Sequence, residues 1–145
     1  MREILFRGKR VDNGEWVEGC YAEFVHGFDG YTKPGIQVIR CVPSVANRLT
    51  PTYETELVEV TPETIGQYTG IKDKNGKGIY EGDIIRFIKE NCLVNFVEND
   101  CAFRIEVDGR ISTALRKAHS KDYEVIGNIH DEDICRFIKI LESEK

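Results

Sequence analysis

Apolar and polar residues alternate over short stretches along most of this chain, and turn-forming residues recur about every ten to fifteen positions. Ile4-Leu5-Phe6-Arg7-Gly8-Lys9 reads as a first strand, Asp12-Asn13-Gly14 as a hairpin turn, and Glu15 to Ala22 as the returning strand. Ile36 to Val42, Leu57 to Val60, Ile84 to Ile88, Cys92 to Val97 and Tyr123 to Ile129 are further strands by length and composition. From Ala102 to Val107 the alternation is clean, with Phe103, Ile105 and Val107 inward and Arg104 and Glu106 outward. Helical signals are few. Thr61-Pro62-Glu63 looks like a cap with proline at the first helical position, and Ser112 is placed to cap a short helix through Leu115 to Ala118. Asp131 is placed to cap a C-terminal helix that sets Ile134, Phe137, Ile138 and Leu141 on one face. The predicted fold is mainly β: one domain over residues 1–145, built of antiparallel hairpins with one or two short helices, in a barrel or sandwich.

The densest turn chemistry lies between Ile65 and Phe87. Asp73-Lys74-Asn75-Gly76 fits a type I turn followed by a left-handed glycine, and a two-residue loop at Asn75-Gly76 is the rival. The rival sets Lys74 opposite Lys77 and Ile71 opposite Tyr80. The type I form sets Asp73 opposite Lys77, Ile71 opposite Ile79 and Tyr80 across from Gly70, which avoids a like-charge pair and is preferred. Glu81-Gly82-Asp83 then turns the chain again. The glycines at 70, 76 and 82 are expected to bend extended backbone rather than to cradle a ligand.

The run Tyr68-Thr69-Gly70, Asp73, Asn75-Gly76, Ile79-Tyr80 and Glu81-Gly82-Asp83-Ile84 resembles the motif of the YopX family, small proteins of phages and prophages. Arg2-Glu3-Ile4-Leu5-Phe6-Arg7 and Tyr123-Glu124-Val125-Ile126-Gly127-Asn128-Ile129-His130 extend the match toward both ends. The resemblance implies a β-rich, barrel-like domain of phage origin, and it implies no catalytic residues.

Composition narrows the function further. The chain has 145 residues, 41% of them apolar and 31% charged, a globular balance with enough residues for a core. A net charge of −5 argues against nucleic-acid binding by total charge alone. No apolar run approaches the length of a membrane span, and Met1-Arg2-Glu3 is no signal peptide, so a cytoplasmic protein is expected. The five cysteines, at 20, 41, 92, 101 and 135, include no Cys-x-x-Cys pair and sit beside apolar residues. They are expected to be buried and reduced, with neither metal nor cofactor.

Candidate contacts remain. His26 to Gly35 is loop-like, with Phe28 and Tyr31 placed to meet a partner or to fold back on the core. Pro43 to Tyr53 reads as a second irregular segment. Glu54, Glu56, Glu59 and Glu63 read as a solvated strand edge, and Trp16 as a half-buried aromatic. Arg110 to Lys121 is the most basic stretch, with Arg110, Arg116, Lys117 and Lys121 free of intervening acids. His130-Asp131-Glu132-Asp133 could suggest a metal, but adjacency alone does not supply convergent ligands. Glu81 and Asp83 could be an acid–base pair, yet a tight turn explains them. No nucleophile motif or phosphate-binding glycine loop is present. The expected function is therefore a non-catalytic module binding a protein partner or itself. The alternative is a nucleic-acid accessory using the basic stretch, and third comes an enzyme whose site only folding assembles.

Overall fold

The computed structural model describes residues 2–25, 27, 28, 30–42 and 52–131. The described chain is mainly β and antiparallel throughout. The backbone groups into two compact units, one over Ile4–Gln67 and the other chiefly from Tyr68 onward. Among the described residues no helix is long and apolar enough to cross a membrane.

The first unit holds β1 (Phe6–Lys9), β2 (Trp16–Val25), β3 (Thr32–Val42) and β4 (Thr52–Glu59), side by side in the order β4-β3-β2-β1. The Asp12-Asn13-Gly14 turn closes β1 on β2, with the Arg10 N–H donating to the Glu15 carbonyl at 2.9 Å. The segment expected to be loop from 26 to 35 is already strand from Thr32, with Thr32 facing Val25 and Lys33 facing Phe24. Pro34 keeps its carbonyl in use there, accepting the Val60 N–H at 3.3 Å. Of the second expected loop, Thr52 and Tyr53 belong to β4, while 43–51 lie outside the described residues. Glu54 and Glu56 are exposed on β4, the edge strand of this sheet. Ile36, Val58 and Val60 are the buried apolar residues of this unit. A short 3-10 turn does follow at Pro62–Thr64, with proline leading it. Its pin is Thr64 rather than the expected Thr61 cap: the Thr64 hydroxyl donates to the Thr61 carbonyl at 2.6 Å and accepts the Lys9 N–H at 2.8 Å.

Strand β5 (Gly66–Lys72) begins in this unit, where Gly66 and Gln67 pair with Arg7 and Phe6 of β1, and runs on into the second. There its later residues pair with β6 (Gly78–Tyr80). The second unit also contains β7 (Asp83–Phe87), β8 (Glu90–Val97), β9 (Ala102–Val107), β10 (Arg110–Ala114) and β11 (Glu124–Asn128). These form a sheet in the order β10-β9-β8-β7-β11. Ile79, Ile85, Cys92, Val94, Ile105, Leu115 and Tyr123 make its buried core, with Phe103 and Val107 packed against it. The inward alternation of β9 thus does what its sequence predicts.

Three expectations need correction or fall outside the description. Among the described residues neither sheet closes into a barrel, because each strand order ends in two edges instead of returning to its first member. Ser112 caps no helix. Asp108 and Gly109, both at positive φ, fold the chain straight back so that Arg110 pairs with Val107 and Ile111 with Glu106. Long-range pairing outweighs local helix preference, and only a 3-10 segment at Lys117–Asp122 remains, without a side-chain cap at Arg116. The expected C-terminal helix around Ile134, Phe137, Ile138 and Leu141 lies outside the described residues.

Candidate functional site

The central motif is built from the turn outward. Asp73 is buried, and its carboxylate accepts three backbone N–H groups: Asn75 and Lys77 at 2.9 Å on one oxygen, Val125 at 3.0 Å on the other. Gly76 takes φ = 79° and the Asp73 N–H donates to the Lys77 carbonyl at 2.8 Å, so the tip has the preferred type I register. That register does not persist. A bulge on β5 puts Gly70 at φ = 82° and slides Tyr80 opposite Tyr68 rather than Gly70, with the two ring centroids 5.3 Å apart. Thr69 holds the bulge: its hydroxyl donates to the Ile79 carbonyl at 2.8 Å and accepts the Ile71 N–H at 3.2 Å.

The next turn is equally committed. Gly82 takes φ = 86°, donates to the Val94 carbonyl at 2.8 Å and accepts the Ile129 N–H at 3.0 Å. Asp83 is 1% exposed and accepts the Tyr80 N–H at 2.8 Å and the Asn128 side-chain amide at 3.2 Å. Asn128 in turn accepts the His130 N–H at 2.9 Å through its side-chain oxygen. The Asp131 N–H bonds the Asn128 carbonyl at 3.0 Å, which spends this corner on a turn. Thr69, Asp73 and Asp83 therefore spend their side chains on backbone N–H and C=O groups and on the Asn128 amide. Among the described residues no group of three His, Cys, Asp or Glu side chains is placed to hold a metal ion.

Arg110 lies on the edge strand β10, and Arg116, Lys117 and Lys121 lie at or within the following 3-10 segment. All four are exposed and, among the described residues, none forms an ion pair. Phe28 and Tyr31 belong to the first unit, in the β2–β3 connection, and both are exposed rather than folded onto a core. Trp16 is half-buried, as its flanks suggest, with the Arg7 guanidinium 4.6 Å and the Lys9 ammonium 5.3 Å from its ring centroid.

Two features escape a sequence reading. Val25 is exposed and joins Phe28 and Tyr31 at the far end of the β2–β3 ribbon. Ile88 and Lys89 close β7 onto β8 as a two-residue turn with φ of 47° and 68°, and Ile88 is 76% exposed. An L-residue in the left-handed region costs about 1–2 kcal/mol, more for a β-branched one. No residue signal marks this turn, because such a turn favours Asn-Gly and the chain has Ile-Lys there.

The cysteines also divide. Cys92 is buried as expected, whereas Cys20 and Cys101 are exposed free thiols; the side chains of Cys41 and Cys135 are not among those described. Burial, followed by the charge of Glu90, pushes the Cys92 thiol from 9.0 up to about 11. Because the folded value is the higher one, this group supports folding fully below pH 9.0 and loses that support as pH rises toward about 11. Iodoacetamide at pH 8 is expected to modify Cys20 and Cys101 and to spare Cys92 until denaturant is added. Peptide mapping would read this, and early loss of the Cys92 thiol would contradict its burial.

The YopX family model, described as YopX protein, matches residues 5–133. Among curated proteins nothing matches. Among solved structures, the crystal structure of protein EF1440 from Enterococcus faecalis is similar at 22% identity with a TM-score of 0.56, over 92% of this chain and 97% of that one. At this identity the likeness speaks for the fold alone. The matched span contains the bulged hairpin, the Gly82 turn and the Asp83–Asn128 contact, and the chain belongs to the YopX protein family.

Proposed function

We propose that this protein is a non-catalytic interaction module of phage or prophage type that binds a protein partner or a second copy of itself in the cytoplasm. The observation carrying this reading is the end of the β2–β3 ribbon. Pairing with β1 stops at Gly19, and on the β4 side the last backbone bond is from the Val60 N–H to the Pro34 carbonyl, so Phe24–Val25 and Thr32–Lys33 continue as a two-stranded end among the described residues. Val25, Phe28 and Tyr31 are exposed on it or at its tip. Exposed aromatic side chains at the end of a strand pair suit a protein interface. The exposed free thiols Cys20 and Cys101 suit a reducing compartment. Light scattering across a concentration series and affinity capture with host lysate test the reading together. A mass above the monomer, or a specific partner, should be lost in Phe28→Ser with Tyr31→Ser while the fold is retained. A monomer at every concentration that captures nothing beyond the double variant would defeat it.

A second reading, nucleic-acid binding, is favoured by one observation. Arg110, Arg116, Lys117 and Lys121 are exposed without ion pairs among the described residues, so their charge is available to a polyanion despite the negative total.

A further inference from the structure

One face of the β2–β3–β4 strands is apolar where it meets solvent, although the solvent face of an antiparallel sheet is ordinarily polar. Ile36 and Val58 lie opposite each other and are buried, so their face is the core face. Side chains alternate along a strand, and residues an odd number of places from these two point the other way. On that second face Ile39, Tyr53 and Leu57 are 61%, 65% and 42% exposed. Cys20 is exposed beside them, at the end of the Cys20–Gln37–Leu57 row. Gly35 keeps the face continuous: a Cβ there would lie 2.8 Å from the Phe24 ring and 3.2 Å from Leu57 Cδ1, so both side chains close over bare backbone.

The same alternation sorts charge. Glu54 and Glu56 share the parity of Val58 and leave the apolar face free of them. Where the three strands run side by side, the charged residues of the apolar face among the described residues are Lys33 and Glu59, which pair with each other at 3.2 Å. Glu18, opposite Arg7, bounds the face toward β1. At Phe24 it runs toward the β2–β3 connection that carries Phe28 and Tyr31.

We infer that this face is where a second copy of the chain docks, sheet on sheet about a two-fold axis, with Ile39, Tyr53 and Leu57 of each copy packed on those of the other. The inference rests on the interaction-module reading and names its surface and its partner. Charge selects the partner. Each chain carries −5, so two copies repel except where the meeting surfaces are neutral, and this face is neutral once Lys33 and Glu59 have paired. A two-fold contact needs a patch that complements itself, which an apolar strip does. Edge pairing of β4 with its copy is the rival, but registers centred on Thr55 or Glu56 set glutamate opposite glutamate. Strand β4 has 8 residues, and three strands of that length offer a face of roughly 400 Å². A standard stable interface takes about 800 Å² from each partner, so the dimer is weak and reversible.

The test follows the full chain from about 10 μM to about 1 mM, the range of a weak contact, by light scattering and by the rate at which iodoacetamide labels its thiols. Mass should rise from monomer toward dimer. Cys20 labelling should slow by about twofold or more over the same range, while Cys101, in the other unit, keeps its rate. Ile39→Lys with Tyr53→Lys should stay monomeric and label at Cys20 without concentration dependence. The double variant is less negative than wild type, so greater overall repulsion cannot be the cause. Ile111→Lys, at an isoleucine 56% exposed on β10, should dimerise as wild type does. The Cys20 readout needs no variant and stands even if the double variant unfolds. A wild-type chain that stays monomeric with Cys20 evenly labelled overturns the inference, and the interaction reading then survives only through a partner captured from lysate. A dimer that persists in the double variant and leaves Cys20 reactive also overturns it, and keeps the reading with its surface elsewhere. Capture of a different protein that depends on Ile39 and Tyr53, without self-association, overturns the second copy in favour of that protein.

Discussion

Asp83→Ala should lower the unfolding free energy of the second unit by about 3–4 kcal/mol. The carboxylate is 1% exposed and serves two buried donors, the Tyr80 N–H at 2.8 Å and the Asn128 side-chain amide at 3.2 Å. Alanine leaves both without an acceptor where water does not reach, and each such loss costs about 1–3 kcal/mol. Asp83→Asn should be nearly as damaging, since one of its two positions would then present a donor to a donor. Asn128 could rotate to offer its oxygen instead, but that oxygen already accepts the His130 N–H at 2.9 Å. The rearrangement exchanges one orphaned group for another. Urea denaturation followed by circular dichroism measures the loss, and an Asp83→Asn variant within 0.5 kcal/mol of wild type, about the scatter of surface substitutions, would refute the argument.

Asp73→Ala is expected to cost about 2–4 kcal/mol, and its effect should be separable by location. Two of its three bonds are local, to the Asn75 and Lys77 N–H groups, and both residues are exposed enough for water to replace the acceptor. The third reaches the half-buried Val125 on β11, where the N–H has no such substitute. Asp73→Asn keeps an oxygen for the turn and turns its amide toward Val125, so it should cost about 1–2 kcal/mol. Amide hydrogen exchange should speed up at Val125 in both variants and at Asn75 and Lys77 mainly in Asp73→Ala. Unchanged exchange at Val125 in both would show that the long-range bond contributes nothing.

These two carboxylates also mark how far the motif can be read without coordinates. The Asp73 turn was legible because an aspartate oxygen bonding backbone two and four residues ahead is local chemistry that needs no knowledge of the rest of the chain. The slide that sets Tyr80 against Tyr68 was not, because it depends on a threonine hydroxyl reaching the opposite strand and on two rings packing. The same division explains Ser112, where an acceptable helix start yields to the hairpin made by Asp108 and Gly109. It explains the cysteines too. Apolar neighbours in sequence say neither which face of a strand a thiol occupies nor that it lies in a turn: Cys20 is exposed and Cys92 buried on strands, and Cys101 is exposed at the end of the Glu98–Asp100 turn. Of the candidate contacts, the basic run and the two aromatics could be found from charge and turn composition. The strained Ile88 could not, since an apolar run of strand length gives no warning that its last residue turns outward.

The amino-acid sequence by itself determined the mainly β character, the central turns and the left-handed Gly76, because each follows from alternation or from hydrogen bonds closed within a few residues. Tertiary structure alone decided that the sheets stay open among the described residues, that Asp73 and Asp83 reach across 52 and 45 residues to Val125 and Asn128, and that Ile88 stands in solvent. The reason is range. A turn is chosen by the energies of four or five adjacent residues, whereas an edge, a buried carboxylate or an exposed tip exists only once distant strands have come together.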